Sequence, residues 1–176
     1  MIQEIAHHAE STTTPSILIA EDERIVAKDI RRILESLGYP IAGIASSGED
    51  ALHKAKQCGP GLILMDIRLD GAIDGIEAAG AISEHLDIPI IYLTACSDPE
   101  TLKRANATRP FGYIPKPFRD TDLRRGIEIA VHKHRMESLL TEREELLATT
   151  RRSIGDAVVA TDAAKRVTFL NPIASV

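Results

Sequence analysis

The sequence predicts an α/β protein with a doubly wound, five-stranded parallel sheet and a C-terminal helical extension. From residue 16 onward, short apolar runs alternate with segments in which apolar residues recur at helical spacing. The apolar runs are continuous rather than alternating, which is typical of parallel strands covered on both faces. Five strand–helix units in succession therefore favour a parallel sheet with helices packed on both sides.

Each element can be bounded from local signals. The predicted strands are short apolar runs, at residues 16–20, 41–45, 62–66, 88–94 and 112–116. Capping and breaking residues bound the helices. Gly38 ends the first helix, and Ser47 caps the second, which reaches Cys58. The third helix runs from about Gly75 to Leu86. The fourth begins with Asp98 and Pro99, and the last begins at Asp120.

Composition excludes several classes of protein. The chain has 176 residues, 44% apolar and 27% charged, so it is neither a disordered tail nor a membrane protein. Its 21 basic and 26 acidic residues give a net charge of −5, which argues against direct nucleic-acid binding. Cys58 and Cys96 lack the spacing of a disulfide framework or a zinc site. We expect a cytoplasmic globular protein.

Polar side chains follow four of the five predicted strands. The first strand leads into Glu21 and Asp22, the third ends in Asp66, the fourth in Thr94 and the fifth in Lys116. Ligands of parallel α/β sheets gather at the carboxyl ends of the strands, so these groups are expected to converge. Clustered carboxylates repel one another and need a cation, and oxygen ligands of this kind suit Mg²⁺. A carboxylate beside a metal ion and a lysine can attack a phosphoryl group.

Four sequence blocks occur in the order and spacing of one protein family. They are Ile-Leu-Ile-Ala-Glu-Asp-Glu, Leu-Ile-Leu-Met-Asp, Tyr-Leu-Thr-Ala and Gly-Tyr-Ile-Pro-Lys-Pro-Phe. With these blocks, residues 16–134 resemble the receiver domain of two-component response regulators. The resemblance implies a flavodoxin-like sheet of strand order 2-1-3-4-5. It also implies a phospho-accepting regulatory domain rather than an enzyme in the usual sense.

The same resemblance assigns the acceptor and the cation site. Asp66 would take a phosphoryl group from a histidine kinase or a phosphotransfer protein. Asp22 and Asp66 would bind Mg²⁺ directly and Glu21 through water, and the backbone carbonyl of Arg68 would complete the protein ligands.

The resemblance also assigns phosphoryl-binding and switch residues. Thr94 and Lys116 would bind the phosphoryl group, with the small Ala95 beside them. Tyr113 would be the aromatic switch, although an aromatic residue in the fifth strand can simply pack. The Lys116–Pro117 peptide bond would be cis, aiming the lysine into the site.

Two loops depart from the common receiver pattern. Asp70 stands where many receivers have proline, and Asp74-Gly75 comes one residue late, so the loop after the third strand is longer by one residue. Residues 107–111 replace a small Gly-Ala turn before the fifth strand. Arg68 and Cys96 occupy positions that tune the lifetime of the phosphoryl group in this family.

The predicted organisation is a flexible tail at 1–15, a receiver domain at 16–134, a helical linker at 135–153 and a segment at 154–176 that resembles the start of a PAS sensor domain. The last receiver helix lacks a stop signal near His134. Leu140, Leu147 and Ile154 are seven residues apart, which predicts a homodimer through this helix. The alternative is a helix that folds back on the receiver. The chain resembles a piece of a longer protein whose output domain would follow.

Three other functions would each place a different demand on the sequence. A haloacid-dehalogenase-type phosphatase needs a second carboxylate two residues after the nucleophile, where this chain has Arg68. A flavodoxin-like cofactor binder needs a hydroxyl- and glycine-rich loop after the first strand, where this chain has three acidic residues, 21–23. A receiver-like module that regulates by protein binding without phosphorylation stays open as the alternative.

Overall fold

A central parallel sheet with strand order β2-β1-β3-β4-β5 confirms the predicted fold class. The computed structural model describes residues 14–95, 98–153 and 159–170. The strands of this sheet are β1 Ile17–Ala20, β2 Ile41–Ala45, β3 Leu62–Asp66, β4 Ile90–Thr94 and β5 Gly112–Pro115. The helices are α1 Arg24–Ser36, α2 Gly48–Cys58, α3 Gly75–Ser83, α4 Pro99–Ala107 and α5 Asp120–Ser153, and a second sheet pairs β6 Val159–Thr161 with β7 Val167–Leu170.

The three central strands are buried along their whole length, which explains their continuous apolar sequences. Alternate residues point to opposite faces, so Leu18 joins one core cluster while Ile17 and Ile19 join the other. The first cluster packs against α2 and α3, and the second against α1 and α5. The sheet is therefore covered on both sides, and its polar groups can emerge only at its ends and edges.

Side-chain caps fix the starts of three helices. Ser47 accepts a hydrogen bond from the backbone of Asp50, and Asp98 caps α4 ahead of Pro99, as predicted. Asp74 forms a reciprocal capping box with Glu77 at the start of α3.

Three local expectations differ from the structure. An acidic residue that follows a strand is expected to cap the next helix; Glu23 occupies the N-cap position of α1, but its side chain makes no cap bond. Helix α3 ends at Ser83 rather than near Leu86. Strand β4 begins at Ile90 rather than at residue 88, because Pro89 has no N–H to donate to a neighbouring strand.

Helix α5 continues past His134 to Ser153. Its apolar side chains beyond that residue are largely exposed, namely Met136, Leu139, Leu140, Leu146 and Leu147. No helix in the described part of the chain is long and apolar enough to cross a membrane. Several predictions concern residues outside the described ranges: most of the tail at 1–15, Cys96, Ile154, and parts of the PAS-like segment.

Gly75 allows the first turn of α3 to pack directly on the backbone of β3. A Cβ atom built at this residue would overlap the carbonyl oxygen of Asp66 and would lie 3.2 Å from that of Ile67. The Gly75 amide donates to the same Ile67 carbonyl at 3.1 Å. Helix α3 therefore rests against the end of the strand that carries Asp66.

We predict that Gly75→Ala lowers the free energy of unfolding by about 2–3 kcal/mol, because backbone atoms on both sides must move apart. Gly80→Ala is the matched control in the same helix, since the nearest atom to its added Cβ is 3.9 Å away. That substitution should stabilise the chain by about 0.5–1 kcal/mol through helix propensity. Urea unfolding followed by circular dichroism measures both, and equal effects of the two substitutions would contradict the packing argument.

Candidate functional site

Lys116 joins two carboxylates from different strands. Its Nζ atom lies 2.6 Å from Oε2 of Glu21, which follows β1, and 2.6 Å from Oδ2 of Asp66, the last residue of β3. These residues are 95 and 50 positions away in sequence, and only the parallel order of the sheet brings them together.

The backbone around Lys116 directs its side chain to this edge. The Lys116 amide donates to the carbonyl of Thr94 at 2.7 Å, which extends the β4–β5 ladder by one residue. The following Lys116–Pro117 peptide bond is cis. The lysine side chain is 19% exposed and the Glu21 side chain only 1%, so the pair lies in a largely desolvated position.

Burial and pairing act in opposite directions on the ionisation of the two groups. Burial raises the pKa of Glu21; the hydrogen bond from Lys116 lowers that pKa, and the charge of Asp66 raises it further. Burial by itself would lower the pKa of Lys116, but its hydrogen bonds to Asp66 and Glu21 outweigh this and leave the pKa raised. The lysine therefore stays an ammonium ion across the physiological pH range.

Three carboxylates form a candidate cation site. One oxygen from each of Glu21, Asp22 and Asp66 lies within 4.8 Å of the others. The single ammonium of Lys116 cannot balance three negative charges, so the cluster retains a net negative charge that favours a divalent cation. Carboxylate oxygens at this density are the ligands that Mg²⁺ prefers, and the site therefore fits this ion.

The remaining predicted site residues fall into two groups. A small cleft of about 140 Å³ is lined by Asp66, Ile67, Arg68, Thr94 and Ala95. Within it, the Arg68 amide donates to Oδ1 of Asp66 at 3.0 Å and so orients the carboxylate. The cleft leaves space between the Asp66 carboxylate and the end of β4.

Tyr113 is not among the residues that line this cleft and instead contacts β4 and α4. Its ring stacks on Tyr92 with centroids 5.7 Å apart, and its hydroxyl donates to the side chain of Asn106 on α4 at 3.0 Å. Tyr92 is fully buried, which raises its pKa to about 12, and its hydroxyl hydrogen-bonds to Thr108 at the end of α4. Tyr92 was not predicted from the sequence as part of this region. The feature of the sequence that could have indicated this contact is a hydroxyl-bearing aromatic residue within an otherwise aliphatic strand.

Comparison with known proteins agrees with this geometry. Residues 17–128 match the family described as "Response regulator receiver domain". This chain belongs to the response regulator receiver family. Receivers are regulatory phospho-accepting domains of two-component systems, and they bind Mg²⁺ at an acidic pocket.

Two curated relatives illustrate the match. The transcriptional regulatory protein PdtaR of Mycobacterium tuberculosis is 36% identical over 127 residues, which are 72% of this chain and 62% of PdtaR. The phyllosphere-induced regulator PhyR of Methylorubrum extorquens is 30% identical over 124 residues, 70% of this chain and 46% of PhyR. The receiver match thus spans only part of the length of these relatives.

Solved receiver structures superpose on the same region. The signal receiver domain of a modulated diguanylate cyclase from Desulfovibrio desulfuricans G20 has a TM-score of 0.67 and 43% identity, over 70% of this chain and 98% of that one. The N-terminal domain of a response regulator/sensory box/GGDEF three-domain protein from Carboxydothermus hydrogenoformans has a TM-score of 0.64 and 34% identity, with the same coverage.

We predict that Asp22→Asn stabilises the receiver without metal and abolishes its stabilisation by Mg²⁺. Removing one of three clustered negative charges should raise the free energy of unfolding in EDTA by about 1 kcal/mol, since the repulsion is relieved while Lys116 keeps its partners. The wild-type chain should instead gain about 2–3 kcal/mol at Mg²⁺ well above its Kd.

Glu23→Gln is the control, because Glu23 is exposed, adjacent in sequence and outside the carboxylate cluster. Thermal unfolding by circular dichroism suits a chain without tryptophan. Equal Mg²⁺ stabilisation of wild type and Asp22→Asn would remove Asp22 from the cation site.

Proposed function

We propose that Asp66 is the phospho-acceptor of this receiver and that it takes a phosphoryl group from a histidine kinase or a phosphotransfer protein. The observation that carries the proposal is the contact of the Lys116 ammonium with both Glu21 and Asp66, at 2.6 Å each, beside the third carboxylate of Asp22. This arrangement supplies a nucleophile, a fixed positive charge and a cation site within one small volume.

The proposed reaction needs a carboxylate oxygen with access to an incoming phosphorus atom. Oδ2 of Asp66 would attack the phosphorus of a phosphohistidine, so that an O–P bond forms while the P–N bond breaks and the imidazole nitrogen leaves with the bonding pair. Lys116 would exchange part of its contact with Asp66 for a new phosphoryl oxygen, and the hydroxyl of Thr94 would donate to another. Mg²⁺, held by Asp22, Asp66 and the Arg68 carbonyl, would supply further charge neutralisation at these oxygens.

The switch is proposed to run along β4 and β5. The Lys116 amide donates to the Thr94 carbonyl, so the ends of β4 and β5 are joined. A shift of the Thr94 side chain toward a phosphoryl group would therefore take place beside β5, the strand that carries Tyr113. Tyr113 would leave Asn106 and turn inward past the small Ala95. This movement would alter the surface of α4 that Asn106 and Thr108 belong to.

A groove beside Lys116 is the proposed docking site for a helix of the kinase or phosphotransfer partner. It has a volume of about 700 Å³ and is lined mainly by the start of α1 and by Pro117 and Phe118. Ile25, one of its lining residues, is 78% exposed and gives the groove apolar surface beside the charged site. An amphipathic helix carrying the phosphohistidine would cover this apolar surface.

We predict Mg²⁺-dependent phosphorylation of Asp66 by acetyl phosphate, which tests the chemistry without a partner. Intact-mass measurement should show a gain of about 80 Da for the wild type, lost in EDTA and in Asp66→Asn. Asp70→Asn is the matched control, because Asp70 is exposed on the following loop and outside the carboxylate cluster.

A gain of the same mass by Asp66→Asn would move the acceptor to another residue. Mg²⁺ binding without any labelling of the wild type would favour the alternative function, a receiver-like module that regulates by protein binding alone.

We further propose that the chain dimerises through α5 and passes its signal to a PAS-type module. The exposed apolar residues Met136, Leu139, Leu140, Leu146 and Leu147 recur at a spacing that keeps them on one side of the helix. The Carboxydothermus protein, whose name places a sensory box with its response regulator domain, supports the PAS interpretation of the segment after α5.

We predict that Leu140→Asp combined with Leu147→Asp converts a dimer to a monomer, because two charges would be buried in the seam. Ser138→Asp with Thr141→Asp adds the same charge to the opposite side of the helix and should leave the dimer intact. Sedimentation velocity over a range of concentrations measures both variants. A wild-type monomer at high concentration would instead favour the helix that folds back on its receiver.

A further inference from the structure

The loop between β3 and α3, residues 67–74, carries Arg68. One hydrogen bond ties its start to the sheet, and a second ties the start of α3 back to Ile67. The Ile67 amide donates to the Leu93 carbonyl at 3.3 Å, and the Gly75 amide donates to the Ile67 carbonyl at 3.1 Å. The side chains of Leu69 and Ile73 pack in the core, and the part of the loop between them, around Gly71 and Ala72, is exposed. A further contact holds this exposed part.

Glu49, in the first turn of α2, provides that contact. Its Oε1 atom accepts a hydrogen bond from the Ala72 amide at 2.6 Å. Its Oε2 atom lies 2.6 Å from the point where a Cβ at Gly71 would be, so any other residue there would displace the carboxylate from its present position. Gly71 also has a φ of +135°, a conformation that other residues rarely adopt.

The start of α2 packs on the same loop through its backbone. A Cβ built at Gly48 would lie 2.6 Å from the carbonyl oxygen of Ile73. Hydrogen bonds from its own amide and from the Ala72 amide lower the pKa of Glu49, so the carboxylate is charged at neutral pH. Two neighbouring residues of α2 thus hold three consecutive residues of the loop.

We propose that Glu49 is a positioning residue for the cation site: by holding Gly71 and Ala72, it fixes the loop that presents the Arg68 backbone. The inference rests on the proposed function, in which the Arg68 carbonyl is a metal ligand. Arg68 lies between the tied Ile67 and Leu69, whose side chain packs in the core just before the segment held by Glu49. The Arg68 amide donates to Asp66. Releasing the far side of the loop would widen the range of positions open to the Arg68 carbonyl while leaving the three carboxylates in place.

Isothermal titration of Mg²⁺ into the full chain tests the proposal. Glu49→Ala should weaken Mg²⁺ binding on the order of tenfold, as is usual when a group supporting a metal ligand is lost. Glu49→Gln should recover much of the affinity, because its carboxamide oxygen can still accept the Ala72 N–H. At saturating Mg²⁺, the labelling rate of Glu49→Ala with acetyl phosphate should stay within about twofold of the wild type, since Asp66 and Lys116 are unchanged.

Asp50→Ala is the matched control. Asp50 lies in the same helical turn, but its carboxylate contacts the Ser46 amide and Lys54 rather than the loop. It should leave the Mg²⁺ Kd within about twofold of the wild type. An unchanged Kd in Glu49→Ala, or an equal loss in Asp50→Ala, would overturn the inference.

Hydrogen exchange of the Ala72 amide separates this inference from the proposed function. Without Mg²⁺, exchange should accelerate in Glu49→Ala and stay slow in Asp50→Ala, and unchanged exchange in both would overturn the anchor itself. A wild-type chain that binds no Mg²⁺ would overturn both the proposed cation site and the role of Glu49 in it.

Discussion

The interaction on which the rest of the site depends is the contact of one ammonium ion with two buried carboxylates. Without Lys116, Glu21 and Asp66 would face each other in a position where little solvent can screen them. The positive charge of the lysine offsets the repulsion between these two carboxylates. With Asp22 included, the cluster still has a net negative charge. The carboxyl end of the sheet thus carries a net negative charge, which a divalent cation would neutralise.

Parallel topology is what makes this arrangement possible. Three strands end at one edge, and each delivers its polar residue at the point where the apolar core stops. The backbone bond between Lys116 and Thr94 then couples the positive charge to the neighbouring strand. The charged side chains of the site are therefore placed by the strand ends, and the loop after β3 adds the backbone of Arg68.

Much of the fold and the acidic cluster could be predicted from sequence, and the reasons are physical. Continuous apolar runs reveal buried parallel strands, and once their order is known, Glu21, Asp66 and Lys116 must meet. The contacts of Glu49 with Ala72 and of Tyr92 with Thr108 could not be predicted in the same way. They join a helix to a loop and a strand to a helix end, where no periodic pattern links the partners. Glu23 shows a further limit, because an acidic residue at an N-cap position need not make the cap bond.

The close packing of Gly75 on Asp66 has a consequence for how a chemical event at the acceptor would be felt elsewhere. With α3 seated against the Asp66 carbonyl, the main chain at the end of β3 has no free space to move into on that side. A group added to the Asp66 carboxylate would find no space on the side of α3. Any movement that it causes would therefore be directed to the opposite side, toward the ends of β4 and β5. The close packing that Gly75 allows would in this way determine the direction in which the receiver responds to a change at Asp66.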